Sequence, residues 1–298
     1  MSIYQVDAFT DKPFFGNPTA VVLDADEFAP ELKQFLASEM NLPITAFVLK
    51  SKNADFKIEY YTPKKETEIG GHATIATFWL LAEIGKIKPE NDYARVTQET
   101  KLGILPVEIF WKKGILDKVL MTQLKPTFTE VDLSIQKLAD ILGIRPDKIE
   151  CNDQLPLVIA STGSPKLLVL ITSKEMTDAM VPKFEDIERL CRRLKCDGIH
   201  LYTFDTYLEG STCYTRHFEP YRGAPETPIS GMANGALGAF LVEKGFAQPG
   251  TFYIEQGESV ERAGKIEVKI EVNNKKVSSV KIGGKAKTVF KIQFKEKL

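Results

Sequence analysis

One arrangement of residues occurs twice in this chain, and any fold must house both copies. Tyr61-Thr62-Pro63 runs by a short loop into Gly71-His72-Ala73-Thr74-Ile75-Ala76. Phe218-Glu219-Pro220 runs by a slightly longer loop into Gly231-Met232-Ala233-Asn234-Gly235-Ala236. The two glycines are 160 positions apart in 298 residues, so the repeat divides the chain near its middle. Each copy reads as an extended aromatic segment, a proline-ended loop and a helix of small residues opening on glycine. The first N–H groups of a helix have no intrahelical acceptor, and the helix dipole adds partial positive charge there. Glycine leaves that backbone bare, which makes each copy a candidate anion site. Halves that face one another would bring both sites to one cleft.

Composition narrows the partners. Apolar residues make up 43% and charged residues 27%, as in a globular protein with full cores. A formal net charge of -1 gives no electrostatic reason to expect nucleic acid or a membrane surface. No apolar run approaches the roughly 20 residues of a membrane helix. Met1-Ser2-Ile3-Tyr4-Gln5-Val6 enters a strand pattern directly, without the basic and apolar regions of a secretory signal. Cys151, Cys191, Cys196 and Cys213 show no CxxC spacing, so reduced, mostly buried thiols and a cytoplasmic location are expected.

Periodicity supplies the elements. Alternation predicts strands over 3–9, 19–23, 45–49 and 56–61, then over 93–98, 104–111 and 119–124. Helical spacing predicts helices over 30–40 and 71–84. Residues 126–132 read as a linker. Beyond it come a helix over 133–142 stopped at Gly143, strands over 155–162 and 167–172, and a helix over 187–194. Strands over 198–204 and 212–218, the second repeat helix over 232–244, and four strands between 252 and 294 complete the pattern. The basic stretch Lys265 to Lys297 alternates with Val and Ile, as an edge strand with solvated lysines does. The βαβ rhythm of a doubly wound parallel fold is not apparent. The expectation is α+β: a curled, mostly antiparallel sheet around a central helix, built twice.

Several chemistries fall away. His72, His200 and His217 lack HxxxH or HExxH spacing, so no metal site is expected. No GxGxxG or Walker sequence calls for a nucleotide. Gly283-Gly284 reads as a turn between strands.

The motifs Val6-Asp7-Ala8-Phe9-Thr10, Gly16-Asn17-Pro18, Met40-Asn41-Leu42 and Gly71-His72-Ala73-Thr74 fall in order along the chain. Arg216-x-Phe218-x-Pro220, Glu226-x-Pro228-x-Ser230-Gly231 and Gln256-Gly257 continue the series. Together they resemble the PhzF-like family, the phenazine-biosynthesis isomerases, over essentially the whole length. That resemblance implies two pseudo-symmetric lobes of the diaminopimelate-epimerase type. One would span 1–125 with a returning C-terminal strand, 284–298, and the other 126–283. It also implies a cofactor-independent isomerase acting on a small carboxylate by proton transfer, and a homodimer.

Two positions depart from the family pattern. Its proton-shuttling glutamate follows Asn-Leu in a Ser-Glu-Thr run, which here is Pro43-Ile44-Thr45, so Ile44 occupies the acid/base position. Its partner aspartate, just after Glu226, is Thr227 here. Neither residue can exchange a proton as a carboxylate does, and such catalysis contributes roughly 10²–10⁴-fold. His72 is the candidate to take over, with Glu226 as its partner; the plainer reading of Glu226 is a solvated loop carboxylate, and that of Glu68 a first-turn dipole partner. Asn17, Gly71, His72, Thr227, Ser230, Gly231 and Met232 are the expected ligand contacts. The related two-cysteine racemases carry a cysteine at each helix start, where this chain has Gly70 and Ser230. Two functions stay open: an isomerase of weak or altered activity, and a catalytically silent relative that binds a small acid or a partner.

Overall fold

A computed structural model describes residues 2–220 and 224–293; the predicted strand residue Phe294 lies outside them. The chain divides into two compact units, Met1–Thr122 with Gly283–Leu298, and Gln123–Ile282.

The first unit contains β1 (Ser2–Ala8), β2 (Asn17–Val22), α1 (Pro30–Met40), β3 (Ile44–Leu49), β4 (Phe56–Tyr61) and β5 (Glu66–Thr67). It continues with α2 (Gly71–Glu83), β6 (Tyr93–Thr100), β7 (Gly103–Lys112) and β8 (Ile115–Thr122). The second contains β9 (Thr127–Glu130), α3 (Ile135–Leu142), β10 (Ile149–Glu150), β11 (Val158–Ser161), β12 (Lys166–Ile171), α4 (Lys174–Asp178) and α5 (Phe184–Leu194). There follow β13 (Gly198–Thr203), β14 (Cys213–Glu219), β15 (Ala224–Glu226), α6 (Gly231–Glu243), β16 (Gly250–Gln256), β17 (Gly264–Asn273) and β18 (Lys276–Gly284). The last strand, β19 (Ala286–Gln293), returns to the first unit and pairs antiparallel with β1.

Local chemistry explains the helix bounds. Pro30 opens α1, where its missing N–H costs nothing, and Asn41 ends it in the left-handed conformation that asparagine tolerates. Ser134 caps α3 through the Lys137 N–H, and Gly143, at φ 71°, stops it.

The ladders carry the duplication further than the sequence pattern does. In the first unit β1 lies between β19 and β2; β2 runs parallel to β3, β3 antiparallel to β4, β4 parallel to β6, and β6 antiparallel to β7. In the second unit β11 lies between β9 and β12. There β12 runs parallel to β13, β13 antiparallel to β14, β14 parallel to β16, and β16 antiparallel to β17. The fold is α+β with antiparallel ladders in the majority, and among the described residues the four parallel ladders each join strands connected through a helical segment. This mixed sheet agrees with the sequence reading that a doubly wound βαβ rhythm is missing, while isolated parallel crossovers are present. The strands flanking each crossover belong to a mixed sheet, so their periodicity does not resemble a run of parallel strands. The supposed linker over 126–132 is corrected, since Thr127–Glu130 is hydrogen-bonded to β11 as strand β9.

Each repeat helix is the core of its unit. Twelve residues of α2, Gly71 to Ala82, are buried, and it packs against β1, β2, β3, β7, β8 and β19. Contacts at both ends of the strand order mean that the sheet wraps around it. Helix α6 packs on β11, β12 and β17. Its glycines permit that approach: a Cβ on Gly238 would lie 2.6 Å from Val268 Cγ1, and one on Gly235 would overlap the Gln123 side chain. The outer faces are covered by amphipathic helices, α1 in the first unit and α3 with α5 in the second. Among the described residues no helix is long and apolar enough to cross a membrane.

Candidate functional site

The first unit places Gly70 at the N-cap of α2, where it offers no side-chain cap, so the opening turn depends on other donors and acceptors. Ile44, the first residue of β3, lies over this point: a Cβ on Gly70 would overlap its Cδ1. Ile44 thus sits against the start of the repeat helix, and there it presents hydrocarbon. Ile44 and His72 are each 8% exposed, enough to line a site without standing in solvent. Asn17 opens β2 and is fully buried. Glu68 is exposed. Behind the helix start, the Tyr60 hydroxyl donates to Gln98 Oε1 at 2.7 Å and lies 2.8 Å from Thr74 Oγ1. Burial pushes the Tyr60 phenol well above its ordinary range, so it stays protonated.

The second unit repeats this design with more polar atoms. Ser230 caps α6 by accepting from the Ala233 N–H, and its own N–H donates to Gln256 Oε1 at 3.1 Å. Gln256 Nε2 donates to the Thr227 carbonyl at 2.8 Å, and Asn234 Nδ2 donates to Gln256 Oε1 at 2.8 Å and to the Ser230 carbonyl at 2.9 Å. Gln123 Nε2 donates to the Gly231 carbonyl at 3.0 Å, and Thr162 Oγ1 donates to the Met232 carbonyl at 3.2 Å. The N–H groups of Gly231 and Met232 lie in the first turn, beyond the reach of any intrahelical carbonyl. Ser230 is therefore first a cap, and the expected role of its hydroxyl toward a ligand is secondary.

Because Asn234 uses its amide nitrogen on two carbonyl oxygens, its Oδ1 must accept. His200 Nε2, 3.2 Å away, is then the donor, which assigns the Nε2–H tautomer. Burial, with His217 alongside, holds His200 well below the ordinary histidine range, hence neutral. Gln98 and Gln256, each on the strand after its repeat helix, and Thr74 and Asn234, each three residues past the opening glycine, are equivalents that the motif comparison missed. The signal was available: the offset of 160 that relates the glycines also relates Thr74 to Asn234.

Glu226 is not the solvated loop carboxylate of one reading. It forms a two-pronged pair with Arg216, Nε to Oε1 at 2.8 Å and Nη2 to Oε2 at 2.7 Å, with side chains only 6% and 11% exposed. Ser259 Oγ also donates to Oε1, at 2.5 Å. Arg216 reaches on to the Thr177 carbonyl at 2.6 Å. In extended chain adjacent side chains point to opposite faces. Thr227 turns the other way, and its Oγ1 donates to Glu219 Oε1 at 2.9 Å. Glu226 and Thr227 thus engage different partners. Among the described residues no group of three or more His, Cys, Asp or Glu is disposed to hold a metal ion.

Two lobes of this architecture, each with a small-residue helix inside a curled sheet, define the epimerase-like class of folds. Comparison with known proteins makes this specific. Residues 6–292 match the PhzC-PhzF family model, described as phenazine biosynthesis-like protein, and the chain belongs to that family. It is 35% identical to the "Uncharacterized isomerase YfhB" of Bacillus subtilis over 90% of each chain. It is 28% identical to the trans-2,3-dihydro-3-hydroxyanthranilate isomerase of Pseudomonas fluorescens over 95% of each. The crystal structure of a PhzF-family phenazine biosynthesis protein of Bacillus anthracis superposes with a TM-score of 0.89, at 32% identity and 98% coverage of both chains. A hydroxyproline epimerase of Agrobacterium vitis shares the fold alone, with a TM-score of 0.63 at 15% identity over 99% of this chain and 90% of that one.

Proposed function

We propose that this chain is a cofactor-free isomerase of a small carboxylate, slowed or redirected by the loss of the family's two proton-carrying side chains. The observation that carries the reading is the placement of Ile44. A side chain from position 44 reaches the opening of α2, where a carboxylate could meet a ligand held on backbone N–H groups, and this chain puts isoleucine there. Each unit offers a ligand carboxylate the N–H groups that open its repeat helix, Gly71 and His72 in the first and Gly231 and Met232 in the second, and the proton step is assigned to His72. Glu226 is left out of that step, because its oxygens are committed to Arg216.

The second reading, a silent acid binder, is favoured by the same isoleucine and by Thr227. One experiment separates them. The protein is incubated in deuterated water with trans-2,3-dihydro-3-hydroxyanthranilate and with other β,γ-unsaturated or hydroxy acids, and deuterium at carbon is followed by NMR. Slow incorporation that disappears in His72→Ala supports the isomerase. Binding without incorporation supports the silent relative. The Ile44→Glu/Thr227→Asp variant should raise incorporation by roughly 10²-fold or more if position 44 is the place for a proton carrier. A folded, ligand-binding variant that stays inert rejects that placement.

A further inference from the structure

Two of the cysteines meet at the end of α5, and neither helix-start site uses them. The helix closes with the hydrogen bonds of a Schellman motif. Lys195 takes the left-handed conformation at φ 55°, its N–H donates to the Arg192 carbonyl at 3.3 Å, and the Cys196 N–H donates to the Cys191 carbonyl at 3.0 Å. In this motif the side chain just past the helix touches one from the last turn, and the contact is ordinarily hydrophobic. Here those two positions are Cys196 and Cys191. Both belong to one core cluster of the second unit, Cys191 with no exposure and Cys196 with 5%.

The backbone limits their separation. Followed bond by bond through the 3.0 Å hydrogen bond, the two Cα atoms are at most about 7 Å apart. The bends at the nitrogen and at the carbonyl shorten that path into the range of about 4.4–6.8 Å that a disulfide bridges. The two thiols differ in character. A hydrogen bond from Cys191 draws Cys196 below the ordinary thiol range against the effect of burial, and the N–H groups of Gly198 and Leu167 and the Lys166 ammonium act in the same direction. The same contact, with burial, pushes Cys191 up. The nucleophilic sulfur is thus the one with a slight opening to solvent, and its neighbour keeps its proton. A stabilised thiolate beside a second cysteine is how redox-sensing pairs are built.

We infer that Cys191 and Cys196 form a reversible dithiol–disulfide couple, a modification site at the end of α5 whose oxidant is a small peroxide. The Cys196 thiolate attacks one peroxide oxygen, the O–O bond breaks, and hydroxide leaves as water with the proton that Cys196 gave up. The Cys191 sulfur then attacks the sulfenic acid on Cys196, and the displaced hydroxide takes the Cys191 proton as a second water. The two sulfurs together lose two electrons and the peroxide gains them. A thiol reductant reverses the bond by exchange. This couple is independent of the isomerase reading. The competing role for the pair is packing alone, because buried structural cysteines are inert.

Cys151→Ser protein, which lacks the exposed thiol, is treated with hydrogen peroxide, unfolded in N-ethylmaleimide and digested with trypsin. Trypsin cuts after Arg192, Arg193 and Lys195, so the disulfide joins two separate peptides and is identified by mass. The expected result is that the linked peptide forms in the folded protein, Cys213 stays alkylatable, and dithiothreitol restores both thiols. Adding Cys196→Ser should slow the loss of the Cys191 thiol by about tenfold or more. Adding Cys191→Ser should leave Cys196 as a sulfenic acid that dimedone traps. Circular dichroism checks that both serine variants fold, and the linked-peptide measurement needs neither. Two free thiols after a treatment that oxidises Cys151 in the wild type would reduce the pair to packing. A linked peptide that forms only in unfolding concentrations of urea, or a Cys191 that oxidises as fast without Cys196, would also overturn the couple.

Discussion

The Arg216–Glu226 pair offers the sharpest test of how the structure assigns the residues of the α6 entry loop. With both side chains almost withdrawn from water, Glu226→Gln leaves a buried guanidinium without its counter-charge, a change that costs about 3–5 kcal/mol when one partner of a buried pair is removed. Glutamine keeps the shape and one acceptor oxygen, which places the expected loss near the lower end, about 3 kcal/mol. Arg216→Met strands the carboxylate and also deprives the Thr177 carbonyl of its donor, so its loss should be at least as large. The double variant should cost less than the sum, with a coupling energy of about 1.5–3 kcal/mol. The probe must be chosen with care, because Trp79 and Trp111 both lie in the first unit and report nothing direct about the second. Urea unfolding followed by far-ultraviolet circular dichroism, together with native-state hydrogen exchange of the β14 amides, reads the right part of the molecule. A Glu226→Gln loss below about 1 kcal/mol, with coupling within about 0.5 kcal/mol of zero, would restore the solvated carboxylate and refute the pair.

Two further outcomes follow from the same packing. Burial, with Glu255 and Asp178 nearby, pushes Glu258 up to about 7, and its Oε2 is buried without a hydrogen-bond partner. A carboxyl raised above its unfolded value holds its proton longer in the folded state, so the second unit should lose stability between about pH 4.5 and 7 as pH rises. The loss should be about 1–2 kcal/mol after screening at this part-exposed position. Glu258→Gln should flatten that slope in urea titrations, and an unchanged slope would reject the assignment. Gly238→Ala should destabilise by about 1–2 kcal/mol, because overpacking against Val268 and Phe252 outweighs the better helix propensity of alanine; a more stable variant would show that β17 yields freely.

Much of the fold was legible because helices and strands announce themselves locally. The bounds of α1 and β4 match the spacing of their apolar residues, and Gly143 stops α3 where its left-handed conformation is needed. Strand β9 was hidden because four residues with little alternation become a strand only through β11, which lies some thirty positions away. The crossovers were hidden for the same reason: strand direction is a property of pairs.

The site divides along this line too. Motif order and the repeated glycines sufficed to indicate the family, the two helix starts, and the absence of a carboxylate at positions 44 and 227. Which charged groups meet around the α6 entry was beyond them. Glu226 stands next to Thr227 in the chain yet faces the other way, toward Arg216, while Glu219, eight residues earlier, meets the Thr227 hydroxyl. Sequence states which side chains a segment carries. Which of them meet is set by the register of β14 and by the sheet face that α6 covers, and those exist only once distant strands have paired.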